Sequence, residues 1–174
     1  GFIEHERKAA KAIRSMIRFT RDFQDIGLSR PQWLYPKNIV SLVAGTFDLG
    51  TVILKNELGL IRIYADPMFE KVVYNLLENA LRHGGPLTFI RFSCQIAKDG
   101  CIVICEDDGV GVPFGEKEKI FLRDSGRHPG FGLFLSREIL GITGAGIRET
   151  GIPGKGARFE IQIPEGSFQE DASD

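Results

Sequence analysis

The chain has 174 residues, is 43% hydrophobic and 26% charged, and sets 22 Lys+Arg against 23 Asp+Glu for a formal charge of -1. That length holds one compact domain plus an added element, at roughly 100–200 residues per domain, and the composition excludes both a largely disordered chain and a disulfide-dense miniprotein. The near-neutral balance excludes the basic field of a dedicated nucleic-acid binder, so any anionic ligand must be gripped locally.

Residues 4–26 read as one helix, because Ala9, Ala12, Met16, Phe19, Phe23 and Ile26 follow a 3,4 spacing that makes a heptad seam. Arg7, Lys8, Lys11, Arg14, Arg18 and Arg21 occupy its other faces, so the seam must lie either on the chain's own domain or on a second helix. Gly27 stops the helix, and Ser29, Arg30 and Pro31 form a short linker. An apolar stretch at 33–35 leads to a helix predicted over 36–49 and strands over 52–54 and 60–64. Asp66-Pro67 then opens a helix running to Arg82, with Asp66 as its cap and Pro67 in its first turn. Strands are predicted over 87–96 and 101–105 around the turn Lys98-Asp99-Gly100. A glycine-punctuated segment, 109–130, precedes a helix over 132–142 and strands over 147–149 and 157–163. Residues 165–174 are a polar tail expected to fray. Mixed hairpins with interspersed helices favour a two-layer α/β sandwich of the α+β class, a mixed sheet with helices on one face, over a doubly wound sheet.

Cys94, Cys101 and Cys105 lie in apolar, strand-like runs without a CxxC pair or a His at zinc-ligand spacing, the pattern of buried thiols in a reducing compartment. No signal-peptide pattern and no ~18-residue apolar run occurs. A cytoplasmic piece without membrane contact is therefore expected, and its start inside a helix suggests a fragment of something larger.

Four segments can carry chemistry. On the 67–82 helix, Phe69, Val73, Leu76, Leu77 and Ala80 form a core face, while Asn75, Glu78, Asn79 and Arg82 fall in an opposite stripe roughly 100° wide. A solvated face is the ordinary reading of such a stripe, but asparagine is a poor helix former and two of them need a reason. Glu106-Asp107-Asp108-Gly109-Val110-Gly111-Val112-Pro113 follows an apolar strand. Its alternating glycines let the backbone approach a ligand, to which a strand-end carboxylate can offer an acceptor. Gly130-Phe131-Gly132-Leu133 enters a helix, where exposed N–H groups and the helix dipole make an anion cradle. The dinucleotide fingerprint G-x-G-x-x-G fails there, because Leu135 stands at its third glycine. Gly154-Lys155-Gly156 precedes the closing strand. These pairs account for six of the 21 glycines, roughly 12% of the chain against a background near 7%.

Taken in order, these segments resemble the ATP-binding domain of sensor histidine kinases, in the GHKL superfamily that also holds gyrase, the ninety-kilodalton heat-shock chaperone and the mismatch-repair ATPase. Asn75-Leu76-Leu77-Glu78-Asn79-Ala80 resembles the N box and Asp107-Asp108-Gly109-Val110-Gly111 the first glycine box. Ile120-Phe121 resembles the F box, Gly130-Phe131-Gly132-Leu133 the second glycine box, and Gly154-Lys155-Gly156 with Phe159 the terminal glycine motif. The resemblance covers about residues 33–164 and implies the Bergerat ATP-binding fold. Tyr64-Ala65-Asp66-Pro67 and Leu133-Phe134-Leu135-Ser136-Arg137-Glu138 are similar to phrases in sensor kinases of methanogenic archaea.

The resemblance implies roles residue by residue. Asp107 would accept from the adenine amino group, with Gly109, Gly111 and Val112 around the base. Asn79 would carry Mg²⁺ through its side-chain oxygen, with Asn75 beside it as the second catalytic amide. Arg82 and Arg127 would meet phosphate, and His83 would sit near the nucleotide. Residues 122–129 would form a short lid, and Gly130, Gly132 and Leu133 would hold phosphate through the backbone. Phe134 departs from the family's repeated glycine and is expected to face the core or a docking surface. No phosphoacceptor box of the His-Glu/Asp-x-x-Thr/Asn-Pro kind exists; His5 precedes Glu6 but then Arg7-Lys8-Ala9, so it is a solvated helix residue.

On the same resemblance, residues 1–28 are the second helix of a dimerisation domain, able to pair with a copy of itself, 29–164 the catalytic domain and 165–174 the tail. The implied activity is transfer of the γ-phosphoryl group of Mg·ATP to a histidine upstream, for relay to a response regulator. It would act in the cytoplasm, as a soluble protein or as the cytosolic part of a membrane-bound sensor. A GHKL-type ATPase or a non-catalytic nucleotide sensor are the alternatives. The clamp ATPases carry a Glu at the Asn75 position to activate water, a role an amide lacks the pKa to fill.

Overall fold

The computed structural model describes residues 2–123 and 130–171 of the chain. Helix α1 (Phe2–Asp25) leads through a turn to β1 (Gln32–Leu34), α2 (Pro36–Ala44), β2 (Ile53–Glu57), β3 (Ile61–Ala65) and α3 (Phe69–His83). Then come β4 (Phe89–Ala97), β5 (Gly100–Asp107), two short 3-10 helices (Phe114–Glu116 and Lys119–Phe121), α4 (Gly132–Gly141), β6 (Gly146–Glu149), β7 (Arg158–Pro164) and β8 (Phe168–Glu170).

A five-stranded sheet in the order β2-β4-β5-β7-β6 is the platform. Its β2–β4 pair is parallel and its other pairs are antiparallel, so the sheet is mixed. Period-two alternation directs Ile90, Phe92, Cys101, Val103, Cys105, Phe159, Ile161 and Ile163 to one face, where they join buried residues of α2, α3 and α4 in a single core. α2 packs on α3 and α3 on α4, completing the second layer of an α/β sandwich.

The opposite face is closed by charge. Glu57, Arg91, Glu106, Arg158, Glu160 and Arg148 alternate in sign across all five strands. Arg91 bonds Glu106, Glu106 bonds Arg158 at 2.8 Å, Arg158 bonds Glu160 at 3.0 Å, and Glu160 bonds Arg148 at 2.7 Å. Ile104, in register with Glu160 on the next strand, is buried without belonging to the helix-side core. The aliphatic stems of the ladder account for its burial, since long charged side chains cover apolar surface while their heads stay wet.

A second, three-stranded antiparallel sheet, β1-β3-β8, lies beside the first. Here the structure corrects the expectation of a frayed tail. Phe168 pairs with Ile63 and Glu170 with Ile61, and Asp171 takes a hydrogen bond from the Tyr35 hydroxyl at 2.8 Å and an ion pair from Arg62 at 3.0 Å. Residues 168–171 thus belong to the folded unit. α2 stops at Ala44, short of the predicted 49. Gly45 caps it and the Thr46 hydroxyl donates to the Val43 carbonyl, a local bond that competes with helix continuation.

α1 settles its two alternatives only in part. Phe19 is its buried anchor, with its ring 4.2 Å from Phe131 and 6.1 Å from Phe134 of the α4 region, and Asp22 pairs with Lys71 at 2.9 Å. Ile3, Ile13, Met16 and Ile17 remain exposed. Phe134, the departure from the glycine pattern, faces this helix, its ring 6.3 Å from Phe23.

Candidate functional site

α3 is set by its first turn. Asp66 Oδ1 accepts the Met68 N–H at 2.8 Å and its carbonyl accepts the Phe69 N–H at 2.9 Å, so the Asp66-Pro67 signal acts two residues before the helix proper. Phe69, Val72, Val73, Leu76, Leu77 and Ala80 are buried, as the 3.6-residue period requires. The polar stripe is thereby turned to a cleft of about 350 Å³. α3 lines it with Asn75, Glu78, Asn79, Arg82 and His83. Gly111, Val112 and Pro113 follow from the segment after β5, Glu116 and Ile120 from the 3-10 helices, and Gly130, Gly132 and Leu133 from the entry to α4.

Nine of the residues singled out by sequence therefore share one cleft. Asp107 and Gly109 do not line it. Asp107 ends β5 and Gly109 follows two residues later, just before the lining residues. Arg127, and with it most of the segment matched to the lid, lies outside the described residues.

Asp107 is 8% exposed, and its Oδ1 accepts the N–H groups of Gly109 (2.8 Å) and Ala157 (3.2 Å). Burial pushes its carboxyl above the ordinary value, against the pull of those two bonds. Backbone contact sets the surroundings. A Cβ on Gly156 would stand 1.8 Å from the Asp107 carbonyl oxygen, at a φ of +126° that side-chain-bearing residues avoid, and one on Gly111 would stand 2.7 Å from the Gly156 oxygen. The glycines of the first and terminal motifs are thus two surfaces of one joint, which spacing alone does not reveal.

Asn75 is buried and donates from Nδ2 to the Gly132 carbonyl at 2.8 Å and to Ser136 Oγ at 3.2 Å. Ser136 in turn donates to the same carbonyl at 2.8 Å. The amide therefore clasps α3 to the first turn of α4, and a Cβ on Gly132 would press on it at 3.1 Å. Sequence reading missed Ser136, and it gave no role in the site to Glu78 and Ile120, which lie within the N and F boxes, or to Pro113 and Glu116, whose one signal was proximity to the matched boxes. Phe121 of the F box is core instead, packed edge-on to Phe159 at 6.3 Å with Arg137 stacked over it at 4.3 Å.

The donor set suits a triphosphate and its cation. The start of α4 presents the N-terminal end of a ten-residue helix to the cleft, favourable to anions. Asn79 and Glu78 bring hard oxygen donors to the same wall, the ligand type Mg²⁺ takes.

A two-layer mixed sandwich whose glycine-led helix entry faces an asparagine-bearing helix defines a nucleotide-binding domain of the Bergerat class. The family "Histidine kinase-, DNA gyrase B-, and HSP90-like ATPase" matches residues 65–167, and the chain belongs to it. Among curated relatives, the alginate biosynthesis sensor protein KinB of Pseudomonas aeruginosa is 32% identical over 148 residues, 82% of this chain but 24% of that protein, so the chain spans about a quarter of its relative. The ATP-binding domain of PrrB from Mycobacterium tuberculosis superposes with a TM-score of 0.63 at 23% identity, covering 78% of this chain and 98% of that domain. Full-length ShkA, solved in complex with AMPPNP, matches 98% of this chain, 38% of its own, with a TM-score of 0.74 at 17% identity. Both structural matches show the shared fold. No helix among the described residues is long and apolar enough to cross a membrane.

Proposed function

We propose that this chain is the ATP-binding kinase portion of a two-component sensor histidine kinase, which transfers the γ-phosphoryl group of ATP to a histidine in an upstream dimerisation domain for relay to a response regulator on the cytoplasmic side. The observation that carries this reading is the cleft itself, where the Asn75–Arg82 stripe of α3 faces the glycine-led N-terminus of α4. With both backbone bonds on Oδ1, Asp107 has Oδ2 for the adenine amino group. Gly111, which packs against the Gly156 backbone where no side chain fits, lets the chain turn beside the base. N–H groups around Gly132 and Leu133 and the Arg82 guanidinium take phosphate charge. Asn79, with Glu78, would hold Mg²⁺, which when bound neutralises charge on the transferring phosphoryl group. The protein's own contribution is positioning and preorganised charge. An ATPase needs a base at the Asn75 position, and there the amide N–H groups are donated to Gly132 and Ser136.

Incubating the chain with Mg·ATP, alone and with a histidine-bearing dimerisation domain, tests the reading. Acid-labile phosphate on that domain is the expected product, lost in Asn79→Ala. Free phosphate without phosphohistidine would turn the assignment to an ATPase, and absence of nucleotide binding would end it.

The exposed row Ile13, Met16 and Ile17 on α1 supports pairing with a second copy, since an unpartnered apolar stripe on a helix is stabilised by self-association. Sedimentation over a micromolar concentration series should show a monomer–dimer equilibrium that Ile13→Glu/Ile17→Glu abolishes with nucleotide affinity unchanged. A wild-type monomer at every concentration refutes the pairing.

A further inference from the structure

Glu149, at the end of β6, has a fully enclosed side chain (0% exposed) that no motif marks. Its Oε1 accepts the N–H groups of Gly151 at 2.9 Å and Arg158 at 3.1 Å, and its Oε2 pairs with Lys117. Lys117 Nζ also donates to the Gly151 carbonyl at 2.7 Å, so both polar groups of Gly151 are held by one ion pair. The sequence separation is 32 residues, and the pair joins the residue next to the cleft-lining Glu116 to the turn that packs behind Gly111.

On one side, Lys117 follows directly on the 3-10 helix whose Glu116 lines the cleft beside Pro113 and Ile120. On the other, Gly151 abuts Gly156: a Cβ on Gly151 would stand 2.5 Å from the Gly156 oxygen. Gly156 in turn lies against the Asp107 carbonyl and Gly111. A continuous line of close contacts therefore runs from Lys117 through Glu149, Gly151 and Gly156 to the backbone of Asp107 and Gly111, the two residues assigned to the base. An enclosed charge pair is a costly means of stabilisation, and apolar residues of similar volume often serve as well. Its placement between a cleft-lining segment and the turn packed behind Asp107 and Gly111 gives it a geometric use.

We propose that Lys117 and Glu149 are a positioning pair for the base end of the nucleotide site, holding the 113–120 wall against the 151–156 turn so that Asp107 and Gly111 meet the adenine in register. This rests on the nucleotide reading above. Loosening this tie weakens the hydrogen bonding to the base, and a cost of about 10-fold in affinity is expected, the scale of one net hydrogen bond.

The test compares wild type with Glu149→Gln and the double variant Lys117→Met/Glu149→Gln. The double variant removes both charges together, avoids stranding one of them, and keeps the Oε1 acceptor and the apolar stem. Binding of Mg·ATP, ADP and AMP is measured by calorimetric titration or competition below the melting temperature of each variant, and steady-state transfer to the dimerisation domain gives KM and kcat. The expected result is a loss of about 10-fold, equal for all three nucleotides because they share the base, with KM for ATP raised and kcat retained. Arg148→Met/Glu160→Gln, which removes a β6–β7 ion pair on the outer sheet face, is the control and should lower stability without changing affinity. Unchanged affinity in a folded double variant, a loss confined to ATP, or an equal loss in the control overturns the proposal. A wild-type chain that binds no nucleotide overturns the reading beneath it, and that failure is visible before any variant is made.

Discussion

Asp107→Asn is expected to weaken ATP binding by about 30- to 1,000-fold, corresponding to about 2–4 kcal/mol for a lost charge-assisted bond and an opposed donor, while leaving the folded state at least as stable. The amide is isosteric, and its oxygen can still accept the Gly109 and Ala157 N–H groups that Asp107 Oδ1 accepts. Its nitrogen would then occupy the Oδ2 position and point a donor at the adenine amino group. The stability half follows from burial, which raises the Asp107 carboxyl above its ordinary value of 3.8. Folding therefore favours the neutral acid; the stability this contributes is fully present below 3.8 and is lost as pH rises through the folded value. At pH 7 the ionised carboxylate opposes folding, and asparagine removes that opposition. Calorimetric titration at pH 7, with melting curves at pH 7 and pH 4, checks both halves. The variant's Tm advantage should shrink toward acid pH. Wild-type affinity in Asp107→Asn would remove this residue from the base site, and a lower Tm at pH 7 would contradict the burial argument.

How well the sequence foretold this arrangement varied with the range of the interactions involved. α3 was evident because Phe69, Val73, Leu76, Leu77 and Ala80 recur at helical spacing and all are buried. β4 and β5 were evident because apolar, β-branched runs flank a Lys98-Asp99-Gly100 turn. β8 was not, because Phe168-Gln169-Glu170 is short and mostly polar and becomes a strand only through pairing with β3 and the hold of Tyr35 and Arg62 on Asp171. The ends of α2 and α3 shifted for local reasons, the Thr46 back-bond and the Asp66 turn. For the site, residue types at motif spacing indicated which side chains share the cleft but not what each one touches. Asn75 looked like a group for the nucleotide, whereas its Nδ2 is bonded across 57 residues of chain to Gly132. Lys117 and Glu149 had no signal at all, since an ion pair between distant loops leaves no periodicity to read. Phe134 was a departure on paper and becomes intelligible once α1 is seen against it.

Asn75→Asp, a change of one atom, should destabilise the domain by about 2–4 kcal/mol, since it buries an acceptor against an acceptor and adds a poorly solvated charge. The Asn75 side chain sits in a 5% exposed position where Nδ2 meets the Gly132 carbonyl and Ser136 Oγ. A carboxylate there faces the carbonyl oxygen without a proton to share. The Ser136 hydroxyl can turn to the new carboxylate only by giving up its own bond to Gly132. The macrodipole of α4 favours negative charge near its N-terminus by about 0.3–1 kcal/mol, too little to offset the repulsion. Tm should fall by roughly 5–15 °C, taking ~2–4 °C per kcal/mol for a chain of this size. ATP affinity, measured at a temperature where the variant is folded, should fall more than ADP affinity, because the added charge sits at the end of the cleft assigned to phosphate. Asn75→Ala leaves the Ser136–Gly132 bond intact and adds no charge, so its Tm should lie between the other two. The ordering wild type, Ala, Asp is the signature of a clasp. If aspartate is tolerated as well as asparagine, the α3–α4 junction is held by its apolar packing and the amide is available to the nucleotide, as its place in the N box first implied.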